Sequence, residues 1–278
     1  MKILLILLLS ALGTVFFVKS SLAAEGGLKP LMLATTTSTA ETGLLDKIVD
    51  LFAREKGIEL RFVAVGTGKA LEIAKNCDAD VVLVHAPDAE KAFVAAGYGL
   101  DRKEVMYNDF VLVGPRDDPA KAAGKDIRAA LSRIHQAKVL FVSRGDNSGT
   151  HMLEKKLLKE VKVEPAPTES YLESGQGMSA TLRMAAEKGG YTLCDRASWK
   201  FFSANQGDRN PLVILVEGDP ALLNRYSVMR VNPGRCAKTD PATAQVFLDW
   251  WFTPQAKEMI NGHSKNGSTL YVYGPAPQ

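Results

Sequence analysis

Two short segments of this 278-residue chain carry residue types suited to holding an anion. One is Thr35-Thr36-Thr37-Ser38-Thr39-Ala40-Glu41-Thr42-Gly43; the other is Ser143-Arg144-Gly145-Asp146-Asn147-Ser148-Gly149-Thr150-His151. Each follows an apolar run and leads into a helical pattern. Hydroxyls and backbone N–H groups therefore meet at a helix start, which binds an anion without a metal. A single Ser or Thr there is ordinary capping. The run from Thr35 to Thr39 exceeds what one cap needs. Thr36, Thr37 and Ser38 are the expected donors, with Thr35 structural. In the second segment Ser148, Thr150 and the Gly149 N–H are expected donors. Arg144 adds a fork-shaped cation that fits oxyanions. Asp146 either pairs with Arg144 alone or orients it from behind for a ligand.

A third loop, Gly66-Thr67-Gly68-Lys69, is not a Walker phosphate loop, because Val63 and Ala70 stand where that motif needs Gly and Ser or Thr. As a glycine-rich helix start it still offers Thr67 and the Gly68 N–H, although a plain turn reads equally well. Gly175-Gln176-Gly177-Met178 and Asp195-Arg196 are weaker candidates; Arg196 at a strand end also suits a hinge or inter-lobe ion pair. His85 near Asp78 and Asp80 is a poor metal site, since Asp80 and His85 face opposite sides of a strand. Ser148, His151 and Asp146 would be the elements of a hydrolase, but the Gly-x-Ser-x-Gly elbow is absent.

The elements that must position these loops are legible in outline. Strands are expected at Leu31–Thr35, Ile58–Val65, Asp80–His85, Phe110–Pro115, Val139–Val142, Tyr191–Leu193, Leu212–Val216 and Tyr226–Val231. Helices are expected at Leu44–Lys56, Lys69–Lys75, Ala89–Ala96, Asp126–Ala137, Met152–Lys159, Met178–Lys188, Ala197–Phe202 and Ala242–Phe252, with Trp250 and Trp251 as core. The glycine-, serine- and asparagine-rich tail from Gly262 is expected on the surface. This alternation means parallel strands flanked by helices. The Gly/hydroxyl loops all fall at carboxyl ends of strands, where open α/β sheets bind ligands. No flexible linker divides the chain, so two α/β lobes joined by strands are expected. The crossings fall near Val111–Gly114 and Asn224–Val228.

Met1-Lys2, an apolar run from Ile3 to Val18 and small residues up to Ala24 read as a secretory signal peptide, residues 1–24. The run is shorter than the ~20 residues a spanning helix wants. The chain has 34 Lys and Arg against 31 Asp and Glu. The leader holds Lys2 and Lys19 and no acid, so the remainder is 32 minus 31, or +1. A nucleic-acid binder would show a basic surplus. Cys77, Cys194 and Cys236 lie too far apart for a metal motif. Export permits one disulfide of undetermined pairing, and three separate buried thiols fit equally.

Ordered blocks along nearly the whole exported chain resemble a known family. They are Thr-Thr-Thr-Ser-Thr at 35–39, Val-Gly-Thr-Gly at 65–68 and Asp-Ala-Asp-Val at 78–81. Further along stand Met-Tyr-Asn-Asp-Phe-Val-Leu-Val-Gly-Pro at 106–115, Ser-Arg-Gly-Asp-Asn-Ser-Gly-Thr-His at 143–151 and Gly-Gln-Gly-Met at 175–178. Together they resemble the tungstate-binding component of bacterial tungstate ABC transporters. The resemblance implies a type II periplasmic binding protein fold, an α/β fold of two lobes with a ligand cleft between them. The expected lobes are 25–112 plus 226–278, and 113–225. It implies a periplasmic protein without enzymatic activity that captures tungstate (molybdate more weakly) and delivers it to an ABC permease in the inner membrane; no cofactor or metal is expected, and a monomer is the default expectation. The ligand contacts it implies fall on Thr36, Thr37, Ser38, Thr67, Arg144, Ser148 and Thr150, with Gly68, Gly149, Asp195 and Arg196 as secondary candidates. Cys194 departs from the small polar residue expected before Asp195. Receptors for molybdate, phosphate or sulfate, and an exported hydrolase, are the alternatives.

Overall fold

The computed structural model describes residues 30–164 and 167–277; the expected leader lies outside them. The chain begins β1 (Leu31–Thr36), α1 (Thr37–Glu41), α2 (Leu44–Lys56), β2 (Leu60–Val65), α3 (Thr67–Lys75), β3 (Val81–Val84) and α4 (Pro87–Ala95). A long strand, β4 (Gly99–Pro115), leads to α5 (Ile127–Ala137), β5 (Phe141–Ser143), α6 (Gly149–Glu160), β6 (Tyr171–Glu173), α7 (Met178–Lys188), β7 (Thr192–Asp195), α8 (Arg196–Gln206) and β8 (Leu212–Val216). It closes with β9 (Leu223–Val231), α9 (Pro241–Trp250), α10 (Pro254–Asn261) and three two-residue strands, β10 (Ser264–Lys265), β11 (Ser268–Thr269) and β12 (Val272–Tyr273).

The main sheet runs β12-β4-β9-β3-β1-β2. β1 pairs in parallel with β2 and β3, and β9 runs antiparallel to both β3 and β4. β4 changes partners along its length. Gly99 to Asp109 lie against β9, and from Phe110 onward the strand pairs β7 and β8 instead. β5 pairs β6 and bridges to Tyr191 at the head of β7. One strand therefore serves two sheet regions, called here the β1 side and the β7 side. The chain returns to the β1 side between the end of β8 and the start of β9.

Strand alternation sorts the apolar residues into four cores. On β1 and β3, Leu31, Leu33, Val81 and Leu83 join one core, and Ala34, Val82 and Val84 join the core on the opposite face. Past the partner change, Phe110 and Leu112 enter a third core, and Val111 and Val113 a fourth. Trp250 and Trp251 pack with Phe52 and Phe247 in the first core, as expected.

Three expectations need correction. The tail from Gly262 does not lie on the surface: His263, Leu270, Tyr271 and Ala276 are buried, and β12 extends the sheet beside β4. Composition over the tail averages out a few apolar anchors among its glycines. β4 starts at Gly99 rather than Phe110: the four consecutive charges Asp101–Glu104 interrupt any apolar pattern, yet this half of the strand pairs with β9. Helix α10 was not anticipated. The pairing of cysteines, left open by the sequence, is Cys77 with Cys236, and Cys194 is a buried free thiol in β7.

Candidate functional site

Four helices begin at the facing ends of the two sheet regions. Their N-caps are Thr36 for α1, Gly66 for α3, Ser148 for α6 and Gly177 for α7. Each start leaves backbone N–H groups unused by its own helix and carries a partial positive charge. α1 and α3 follow β1 and β2, whereas α6 and α7 follow β5 and β6. Sequence-distant loops are thereby brought together. Gly68 N–H donates to the Asn147 carbonyl at 3.2 Å. A Cβ on Gly66 would stand 3.1 Å from the Asp146 carbonyl oxygen, so a larger residue there would force the two turns slightly apart. Glu41 on α1 accepts from Ser179 on α7 at 2.8 Å, and Lys156 on α6 reaches Asp88 on α4 at 3.0 Å.

The hydroxyls at this junction are buried. Thr36, Ser38, Thr67, Ser148 and Thr150 are all in the interior, and Thr37 is half-buried. Thr36 Oγ1 lies 2.8 Å from Thr39 Oγ1 and 3.3 Å from Ser38 Oγ. Ser148 Oγ accepts from the His151 N–H at 3.4 Å, which leaves its own proton free to donate. Thr67 Oγ1 and Thr150 Oγ1 have no hydrogen-bond partner among the described residues. A buried hydroxyl left unpaired costs about 1–3 kcal/mol, so both groups need an acceptor from outside the protein.

Arg144 is 2% exposed, and its guanidinium is fixed on two sides. Nε donates to the Gln176 carbonyl at 2.8 Å and Nη2 to Asp146 Oδ2 at 2.5 Å. The Arg144 carbonyl accepts from Gly175 N–H and Ser174 Oγ, so the Ser174–Gln176 loop holds both ends of the residue. Asp146 Oδ1 takes the Ser148 N–H at 3.0 Å. The acid thus stands behind the arginine and within its own turn, and the Nη1 edge remains for an anion. The Gly-Gln-Gly loop, singled out in the sequence without a role, orients the cation.

The secondary candidates separate. Gly149 opens α6 within the cluster. The Gly68 N–H is committed to Asn147. Asp195 is fully buried and caps α8, accepting from Ser198 N–H at 2.9 Å and Ser198 Oγ at 2.7 Å; burial holds its carboxyl above the usual range. Arg196 faces away into a double ion pair, with Nε at 2.6 Å from Asp109 and Nη2 at 2.8 Å from Glu217. It ties α8 to β4 at the partner change. Cys194 sits in the fourth core, and burial raises its thiol.

His85 enters the site although sequence reasoning set it aside after testing it only for a metal. Its ring stacks on Tyr226 at 4.7 Å, and Nε2 lies 3.3 Å from Ser38 Oγ. Asp80, by contrast, accepts from Met32 and Asp240 N–H groups on the other face. Burial pushes the imidazole down to about 4, and the Arg144 charge adds to the effect. The signal that marks His85 is its place at the carboxyl end of a central strand. The hydrolase pairing is not formed: His151 Nδ1 accepts from Asn147 N–H at 3.0 Å, and its contact with Ser148 is the backbone cap.

Gly149 offers a sharp test of the arrangement. A Cβ there would stand 2.7 Å from His85 Cε1 and 3.0 Å from the His85 carbonyl. His85 is held on both faces and cannot yield. Overpacking of this kind costs about 1–3 kcal/mol of folding stability, so Gly149→Ala is expected to lower the Tm by roughly 2–12 °C, read by thermal unfolding.

Comparisons with known proteins place the chain. A family model described as a PBP superfamily domain matches residues 23–255. The tungstate-binding protein TupA of Peptoclostridium acidaminophilum is 44% identical over 247 residues, covering 87% of this chain and 85% of that protein. TupA of Campylobacter jejuni is 43% identical, covering 84% of this chain and 87% of its own length. Among solved structures, the tungstate-binding protein TupA from Desulfovibrio alaskensis G20 superposes with a TM-score of 0.76 at 48% identity, covering 89% of this chain and all of that one.

Proposed function

Since this chain belongs to the PBP superfamily and, within it, to the family of the TupA proteins, we propose that it is a solute-binding protein for tungstate. Its work is binding and delivery rather than catalysis. The observation that carries this reading is the donor set. Arg144, the Thr67 and Thr150 hydroxyls and several helix starts converge from both sheet regions. The acids close by, Asp146 and Asp195, are engaged within their own turns. Tungstate is a dianion without a proton at neutral pH, so its site needs donors and no bare carboxylate. Thr36, Thr37, Ser38, Thr67, Arg144, Ser148 and Thr150 are the ligand residues of this proposal, with the Gly149 N–H beside them.

Hydrogen bonds to charged groups contribute ~1.5–3 kcal/mol each. Several preorganised ones support nanomolar binding, ~12 kcal/mol, after the cost of association. The β1 side and the β7 side, exchanged at Asp109–Phe110 and again between β8 and β9 rather than at 112/113 and 225/226, act as two lobes that close over the anion. The leader, residues 1–24, exports the chain to the periplasm. The Cys77–Cys236 disulfide suits that oxidising compartment. No helix among the described residues is long and apolar enough to cross a membrane. There the protein works as a monomer and hands tungstate to an ABC permease in the inner membrane.

Titration calorimetry with tungstate, molybdate, sulfate and phosphate tests the assignment. Tungstate is expected to bind most tightly, with molybdate weaker and displaced by it. Displacement of bound tungstate by equimolar phosphate or sulfate would overturn it.

A further inference from the structure

The hydrogen bonds around His85 have a direction that can be read from one end. The Leu270 carbonyl can only accept, and it takes a proton from Asn108 Nδ2 at 3.3 Å. Asn108 Oδ1 therefore faces Asn224 and accepts from its Nδ2 at 2.8 Å. The same amide nitrogen lies 3.0 Å from the Tyr226 hydroxyl. Asn224 Oδ1 is left for His85, whose Nδ1 donates to it at 2.9 Å. A neutral imidazole has one N–H, so this chain of partners assigns Nε2 as an acceptor. The Ser38 hydroxyl, 3.3 Å from both Nε2 and Thr36 Oγ1, can then give its proton to the imidazole, which withholds it from the ligand.

We propose that His85 is a positioning residue of the oxyanion site that takes a proton from solvent as the dianion binds: Nε2–H then donates to Ser38 Oγ, and the Ser38 hydroxyl turns to the anion. This rests on the oxyanion reading above. The surroundings explain why the proton arrives with the ligand. Before binding, the Arg144 guanidinium acts on the ring, the N-terminus of the 12-residue helix α6 abuts it at Gly149, and the buried Glu90 behind Ala86 is paired with Arg102. The guanidinium and the helix end both disfavour an imidazolium, as does burial. Phe110 and Tyr226 face the ring as uncharged aromatics, and Ser38 and Asn224 are neutral. In the adjoining cavity Asp88 pairs with Lys156 and Glu104 with Arg225, and Lys91 and Lys159 add positive charge. A dianion placed among these donors reverses the sign of the local field. The bound state then holds the proton more tightly than the free state. By linkage, affinity rises as pH falls, by at most tenfold per pH unit for one proton.

Calorimetry with sodium tungstate between pH 6 and 8, in buffers of different ionisation enthalpy, tests this. The observed heat is expected to vary with the buffer and to report uptake of up to one proton per site. In His85→Gln, binding should persist several-fold weaker, with the buffer dependence lost. Equal heats in all buffers for the wild type would overturn the proposal. So would uptake that survives in His85→Gln, which would assign it to His151 instead. If His85→Gln does not fold, His85→Asn serves: its amide can keep a donor to Asn224 Oδ1 and has no titratable ring, so uptake should vanish while binding persists. Should another oxyanion outbind tungstate, the ligand assignment fails, and the same buffer comparison with that oxyanion still decides the role of His85.

Discussion

Replacing Arg144 with alanine is expected to weaken tungstate binding by roughly a hundredfold or more, about 3 kcal/mol. Two effects add. The charge-assisted hydrogen bonds from the Nη1 edge are lost, each worth about 1.5–3 kcal/mol. Asp146, now held only by the Ser148 N–H, loses the cation that neutralised it, and its uncompensated charge repels the dianion. Arg144→Lys should recover only part of the loss. A lysine is a point charge and cannot bond the Gln176 carbonyl and Asp146 while presenting a third edge to a ligand. Calorimetry reads both variants, and thermal unfolding without ligand checks that each is folded. Affinity within threefold of wild type in Arg144→Ala would remove this residue from the site.

Loss of the Cys77–Cys236 disulfide should produce the opposite pattern, a large stability change with little change in binding. The bridge spans 159 residues of sequence. In the chain-entropy account a loop this long is worth up to about 5 kcal/mol, and losses of about 2–5 kcal/mol are usual. For a chain of this size about 3 kcal/mol corresponds to a fall in Tm of roughly 6–12 °C. The bridge fastens the turn after the C-terminus of α3, whereas the oxyanion loop lies at its N-terminus, about 13 Å away along the helix. A Cys77→Ser, Cys236→Ser protein should therefore bind tungstate within about twofold of wild type while unfolding earlier. Alkylation under denaturing conditions without reductant should label one thiol, Cys194. Two or three labelled thiols would refute the pairing.

Much of the fold was legible because short-range physics dictates it. Leu44 to Phe52 repeat at helical spacing and end at Gly57, whose φ of 65° only glycine adopts freely. The continuously apolar Val81–Val84 became a central buried strand. Ser148 caps α6 as its type favours, whereas the short helix Thr37–Glu41 forms within a hydroxyl run of poor helix formers. The first half of β4 was illegible because Asp101–Glu104 are four charges in a row, and that half is held as a strand by its long-range pairing with β9. The anchors Leu270 and Tyr271 were hidden by the glycines and polar residues around them.

The sequence by itself determined the donor types, their places at helix starts and the arginine among them, since side-chain chemistry and capping are local properties. Tertiary structure alone decided which of those groups meet. It turned Arg196 to Asp109 and Glu217, gave the Gly68 N–H to Asn147 and brought His85 beside Ser38, residues 47 apart in the chain. Such partnerships depend on where β4 changes partners and how the strands order. Those are outcomes of long-range packing, and no window of neighbouring residues encodes them.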